Sequence, residues 1–80
     1  MVYIDAGGHI LTDGDAEELH IFAASIGMKR EWYQDAGRAA KHPHYDAIGA
    51  ATRRRAIAAG AVQIDSREAV QIFRKKVDRQ

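Results

Sequence analysis

Val2-Tyr3-Ile4-Asp5-Ala6-Gly7-Gly8-His9-Ile10-Leu11-Thr12 is the stretch whose reading decides the fold. Residues 2–5 alternate and are rich in β-formers, so they are expected to be a strand. Ala6-Gly7-Gly8 reads as a turn, because paired glycines supply the positive φ that a tight reversal needs. Residues 9–12 then return as a second strand or run on as a looser loop. Asp13-Gly14-Asp15 stops them. Asp15 and Glu18 have the spacing of a capping box, in which each side chain satisfies an amide left open by the first helical turn. Leu19, Phe22, Ala23 and Ile26 fall at i, i+3, i+4 and i+7, which predicts a helix over 15–26 with an apolar stripe. Gly27 can end it in the left-handed conformation, with Met28 folding back as the apolar partner of that cap.

Beyond this helix the signals are shorter. Residues 29–34 fit a short strand or a single helical turn, and 35–41 read as a polar loop. Pro43 biases His42 towards an extended backbone, so His42-Pro43-His44-Tyr45-Asp46 is expected to be extended. Asp46 then reads as the cap of a second helix over 48–59, ended by Gly60, with Ala50, Ile57 and Ala58 inward. Residues 61–65 read as a strand. Asp65 and Glu68 have box spacing before a third helix over 66–77, whose inner face is Ala69, Val70, Phe73 and Val77. Helical crossovers between 2–5 and 61–65 imply parallel neighbours. The expectation is one small α/β domain over 1–80, with a short, partly parallel sheet flanked by about three helices. Ile4, Leu19, Phe22, Ile26, Ile64 and Phe73 should be buried.

Eighty residues leave a single core near the lower limit of sufficiency. With no cysteine, neither a disulfide nor a thiolate cluster can support it. The remaining supports are a His/Asp metal site or a homodimer that buries Trp32 or Tyr33 as an aromatic anchor. No apolar run approaches the roughly 18 residues of a membrane span, and the acidic, glycine-bearing start is not a signal peptide. A soluble, cytoplasmic protein with no membrane partner is expected. Residues 1–28 carry five acids and no Lys or Arg, whereas the remainder carries twelve bases against six acids. Such asymmetry suits an anionic partner, or two protomers meeting acid to base.

Two clusters could carry chemistry. His42, His44 and Asp46 sit at i, i+2 and i+4, which on an extended segment turns all three to one side. Imidazole and carboxylate are the ligands for a divalent ion such as manganese, zinc, iron or magnesium when thiolates are absent. Asp5, at the C-terminal end of a strand where α/β sheets place ligands, could add a carboxylate; His9 is a more distant candidate. The plainer reading makes Asp46 a cap and the histidines loop residues. Arg53-Arg54-Arg55, between Lys41 and Arg67, is the best phosphate-binding cluster, since guanidinium forks match phosphate oxygens. A helix start near residue 47 would add open amides, and Tyr45 or Tyr33 could stack on a base. Consecutive arginines span most of a helix's circumference, so at most two can reach one ligand. No phosphate loop, nucleophile elbow or zinc-protease helix is present.

Val-Tyr-Ile-Asp at the start, Glu18-Leu19-His20-Ile21-Phe22-Ala23, Ile26-Gly27-Met28, Trp32-Tyr33-Gln34, His42-Pro43-His44-Tyr45-Asp46 and Ala59-Gly60-Ala61-Val62 together resemble the DUF4031 family. These are small bacterial and phage-encoded proteins, and the resemblance runs to about Glu68. It implies the fold and a focus on His44-Tyr45-Asp46, without a reaction. The family more often has a second acidic residue after the aspartate and a longer aromatic, basic segment before the first helix; here Ala6-Gly7-Gly8 stands instead. Three functional readings follow. The leading one is a domain that binds a nucleotide or nucleic acid through Tyr45, Asp46, Arg53, Arg54 and Arg55. The enzyme reading is a metal-dependent phosphodiesterase or nuclease using His42, His44, Asp46 and Asp5. The third is a phage or host accessory protein that docks another protein. Either site reading requires Tyr45 and Asp46 close to Asp5, with one of the three arginines facing the same cleft.

Overall fold

A computed structural model describes residues 1–78 of the chain, with side chains as far as Lys76. Strand β1 (Val2–Ile4) and strand β2 (His9–Thr12) form a hairpin, the strand alternative for residues 9–12, antiparallel with Ile4 opposite Ile10. The Gly8 N–H donates to the Asp5 carbonyl and the Asp5 N–H to the His9 carbonyl, both at 3.1 Å. Of the paired glycines only Gly8 has positive φ, +86°. A Cβ there would lie 3.0 Å from the Ala47 carbonyl oxygen, an approach held by the 2.7 Å bond from the Ala47 N–H to the Gly8 carbonyl. Gly8 therefore serves both the turn and its contact with the next segment.

That segment supplies the edge strand β3 (Tyr45–Asp46), antiparallel to β2 with His9 opposite Asp46 and Ile10 opposite Tyr45. Strand β4 (Val62–Gln63) lies beside β1 and is parallel to it, as the crossovers require. The sheet order is β3-β2-β1-β4.

Three helices cover this sheet: α1 (Ala16–Ser25), α2 (Ala50–Ala58) and α3 (Ser66–Asp78). Strand alternation divides the core. Val2, Ile4, Ile10 and Tyr45 pack on one face with Leu19, Ala23 and Ile26 of the α1 segment and Ala56 of α2. Leu11, with Tyr3 beside it, packs on the other face against Ala69 and Phe73 of α3. The result is a small three-layer α/β domain. Among the described residues no helix is long and apolar enough to cross a membrane.

The helix ends follow the local signals closely. Met28 N–H bonds to the Ala23 carbonyl at 2.9 Å and Gly27 takes φ +84°, closing α1 in a Schellman motif. Ala61 N–H to the Ala56 carbonyl, at 3.0 Å, does the same after Gly60. The α3 box is complete, with Glu68 N–H to Asp65 Oδ1 at 2.8 Å and Asp65 N–H to Glu68 Oε1 at 3.5 Å. The α1 box is half made. Asp15 accepts the Glu18 N–H at 3.0 Å, but the Glu18 carboxylate turns to the Thr12 hydroxyl and the Met1 amino group.

Elsewhere the structure corrects the local reading. Asp46 caps no helix: it lies in β3, and α2 begins only after Gly49, whose φ of +87° breaks the chain direction. Ala56, not Ala50 or Ala58, is the buried residue of α2, flanked by half-buried Arg53 and Ile57. On α3, Val70 is 44% exposed while Ile72 packs inward, because Ala69, Ile72 and Phe73 share one face. Phe22 and Ile64 are half-buried, and the expected burial of Val77 lies outside the described side chains. Residues 29–34 combine both forms foreseen, a 3-10 turn at Arg30–Trp32 and then a bridge from Gln34 to His44. A second 3-10 turn, Gly37–Lys41, occupies the expected loop.

Burial separates isoleucines that look alike in sequence. Ile10 is fully buried and Ile21 is 64% exposed. Ile10→Ala should cost about 2–5 kcal/mol, the range for truncating a core aliphatic side chain. Ile21→Ala should stay within about 0.5 kcal/mol. Urea denaturation of both variants measures the difference.

Candidate metal centre

The site begins at Asp5, just past the end of β1 and 4% exposed. Its Oδ1 accepts the Gly7 N–H at 3.0 Å and the His9 N–H at 2.9 Å, so the short turn wraps the carboxylate. The His9 ring returns to the same group, with Nδ1 at 2.9 Å from Oδ2 and 3.1 Å from Oδ1. The Arg53 guanidinium of α2 donates to the Asp5 carbonyl at 2.8 Å. Four residues distant in sequence or in charge thus meet at the open end of the parallel pair β1–β4.

Pairing with β3 adds the rest. His9 lies opposite Asp46, and alternation turns His44 to the same face as Asp46. His44 Nε2 is 3.2 Å and His9 Nε2 3.8 Å from Asp46 Oδ1. One ligand atom from each of the three residues lies within 4.8 Å of the others. The imidazoles meet edge to face, with centroids 4.9 Å apart. The Gln34 side-chain amide donates to Asp46 Oδ2, leaving Oδ1 turned to the histidines.

Hydrogen bonding assigns the tautomers. His44 Nδ1 is 2.6 Å from the His42 carbonyl oxygen, and a carbonyl can only accept. A carboxylate is equally restricted, so Nδ1 of His9 is the protonated nitrogen facing Asp5. In its neutral form each ring then carries its lone pair on Nε2, the nitrogen that lies towards Asp46 Oδ1. A histidine whose far nitrogen is held by a carboxylate or backbone carbonyl is the usual arrangement of a metal-binding imidazole. Metal bonds of about 2.0–2.1 Å at tetrahedral angles place donor atoms roughly 3.4 Å apart. The two spacings to Asp46 Oδ1 bracket that value, so the trio could take a first-row divalent ion once its side chains adjust.

The expected ligands are thus partly redistributed. His44 and Asp46 converge as the spacing implied. Asp5 contacts His9 and acts behind it. His42 faces the same cleft, but its ring packs edge-on against Phe73 at 4.9 Å, away from the trio. His9 takes its place, through a register that sequence spacing does not display.

Tyr45 is fully buried, so its ring has no free face for a base. Its hydroxyl lies 2.6 Å from His20 Nδ1, and Tyr33 packs against both rings. Burial, ahead of the charges of Arg30 and Glu17, pushes the Tyr45 phenol above its ordinary pKa. Tyr45 is an anchor of β3. Arg54 and Arg55 are exposed, and neither lines the cleft. The only arginine of the triplet near the site is Arg53.

Beside the trio opens a cleft of about 530 Å³ between the sheet end, residues 36–39 and the first turns of α3. Among the described residues, Arg38 is the one Lys or Arg side chain lining it. Its apolar wall includes Val70 and Phe73, which accounts for part of the exposure of Val70.

Metal titration separates the ligands from their neighbours. His44→Ala and Asp46→Ala should each abolish tight Zn²⁺ or Mn²⁺ binding, and His42→Ala should leave it within a few-fold. Asp5→Asn should weaken it about 10–100-fold, as losing the partner of a metal-bound histidine does. Isothermal titration calorimetry, with folding checked by circular dichroism, measures all four.

No curated protein and no solved structure matches this chain. The sequence model of a family described as "Protein of unknown function (DUF4031)" matches residues 3–76, nearly all of the 80-residue chain, and the protein therefore belongs to the DUF4031 family.

Proposed function

We propose that the protein is a metal-dependent phosphodiesterase whose ion is held by His9, His44 and Asp46. The observation that carries this reading is the convergence of two imidazoles on one carboxylate oxygen, each ring held at Nδ1 by an acceptor, with Nε2 3.2 Å and 3.8 Å from Asp46 Oδ1. Two imidazoles and one carboxylate suit Mn²⁺, Zn²⁺ or Fe²⁺ better than Mg²⁺, which prefers oxygen ligands. Three protein ligands leave coordination positions open, and a divalent ion there supplies Lewis acidity and a water of lowered pKa.

The cleft beside the trio suits an anionic substrate. Arg38 offers a guanidinium fork for phosphate oxygens, and the Ser66 hydroxyl lines the same wall. Asp5 and Asp46 would repel a bare phosphate; an ion between ester and carboxylates removes that conflict. In the reaction, water oxygen bonds to phosphorus, one ester P–O bond breaks, and the departing alcohol carries the proton that water gives up. His9 and His44 position the ion, Asp5 and the His42 carbonyl orient the two rings, and Arg38 holds the ester.

Hydrolysis of bis(4-nitrophenyl) phosphate with Mn²⁺ or Zn²⁺ tests the proposal. Turnover should vanish with chelator or in Asp46→Ala. Arg38→Ala should raise KM about tenfold, the effect of losing roughly 1.4 kcal/mol of binding, while metal affinity is retained. Metal and ester binding without turnover would favour a phosphate-ligand binding module. Ester binding without metal would also favour that module, and absence of both metal and ester binding would leave protein docking as the remaining role.

A further inference from the structure

Resting on that reading of the metal centre, we infer that its substrate is a nucleotide phosphodiester whose nucleoside seats in a second hollow on the other side of Asp46. This hollow, of about 430 Å³, is lined by Trp32 and Ile48, with Asp46 and Gln34 in its wall. Its volume lies within the 300–1,000 Å³ of small-molecule sites. Gln34 also lines the cleft beside Arg38, and its amide is bonded to Asp46. The two hollows therefore meet at Gln34, with His9 and His44 in the lining of one and Asp46 in that of the other, so a substrate bound over the ion would reach both.

The chemistry of the two sides differs. Trp32 is 49% and Ile48 84% exposed, large apolar groups that the fold leaves in water. Exposed indole and aliphatic surface next to a polar centre suits a flat ring, since base–aromatic stacking contributes about 1–3 kcal/mol per base. Thr52 and Glu31 give the rim a hydroxyl and a carboxylate, partners for ribose hydroxyls or a base edge. With Glu31 and Asp46 in its lining and no Lys or Arg, this hollow disfavours phosphate. The cleft with Arg38 favours it. That polarity orients the substrate, with phosphate towards Arg38 and nucleoside on Trp32. The Lys29 ammonium, 5.9 Å from the Trp32 ring centroid and 4.0 Å from Glu31, is already engaged at the edge.

Two esters with the same leaving group test the inference: thymidine 5′-(4-nitrophenyl phosphate) and methyl 4-nitrophenyl phosphate. With Mn²⁺, kcat/KM should favour the nucleoside ester at least tenfold, and Trp32→Ala or Ile48→Asp should bring that ratio close to one. Trp32 is the sole tryptophan, so with Zn²⁺ bound its fluorescence should be quenched by the thymidine ester and not by the methyl ester. A ratio near one in the unmutated protein, with the methyl ester still hydrolysed, overturns the inference and leaves the metal-centre reading standing. No turnover of either ester and no bound Mn²⁺ overturns both. Sedimentation showing a dimer in which Trp32 is shielded from acrylamide quenching would assign the hollow to a second copy of the chain and also overturn it.

Discussion

A buried carboxylate costs several kcal/mol unless donors replace its water, and the Asp5 carboxylate is almost wholly enclosed. The chain meets that requirement with groups from one turn: the amides of Gly7 and His9 and the imidazole of His9. Hydrogen bonds to a charged acceptor contribute about 1.5–3 kcal/mol each, so this cluster offsets the cost of enclosing the carboxylate. Its consequence is geometric. A turn closed around Asp5 leaves one register for β1 on β2, and that register fixes the sheet face on which His9 stands, where pairing with β3 brings Asp46 opposite it. The same interaction that makes the hairpin also aims the imidazole.

The second constraint is the alternation of β3. A strand of two residues has almost no pairing energy of its own, and a slip by one residue would exchange its faces. Tyr45 prevents the slip. Its ring fills the core beside Ile10, and its hydroxyl is satisfied by His20. Burying a tyrosine removes about 150–250 Å² from water, roughly 4–6 kcal/mol at the usual coefficient. With Tyr45 committed to the α1 side, His44 and Asp46 must face the α3 side, where the cleft lies. The residue expected to touch a ligand instead decides which residues can.

This division explains what could be read in the sequence. The hairpin, α1, its glycine cap and the α3 box all depend on contacts within a few residues, and each was legible; the parallel β4 followed from the helical crossovers, although its partner Tyr3 is 59 positions from Val62. The family resemblance pointed to the same fold. His44 and Asp46 were legible as a pair because alternation is also local. The substitution of His9 for His42 was not. His42 ends the 3-10 turn at Gly37–Lys41, and Phe73, thirty-one positions away, takes up its ring. His9 reaches Asp46 only through a pairing between strands 36 residues apart. Asp46 looked like a cap because Asp before an alanine-rich helix usually is one; the strand that claims it is shorter than any periodicity. Which of the three arginines approaches the site was illegible for a similar reason. Adjacent arginines carry no local sign of which one meets the Asp5 carbonyl.

The position of the candidate ion also bears on how so small a domain holds together. His9 belongs to the hairpin, whereas His44 and Asp46 belong to the edge strand, so an ion at the trio ties the most weakly paired element to the most strongly held one. An ion that binds only the folded chain adds stability by mass action, about 2.7 kcal/mol at a hundredfold excess over Kd. Against a typical total of about 5–15 kcal/mol, that is a substantial fraction. Lacking cysteine, the chain has no covalent means of achieving the same link. With an ion there, occupancy of the centre and pairing of β3 would be one equilibrium: stripping the ion would loosen the strand that carries His44 and Asp46, and packing of Tyr45 into the core would raise affinity at a site it never touches.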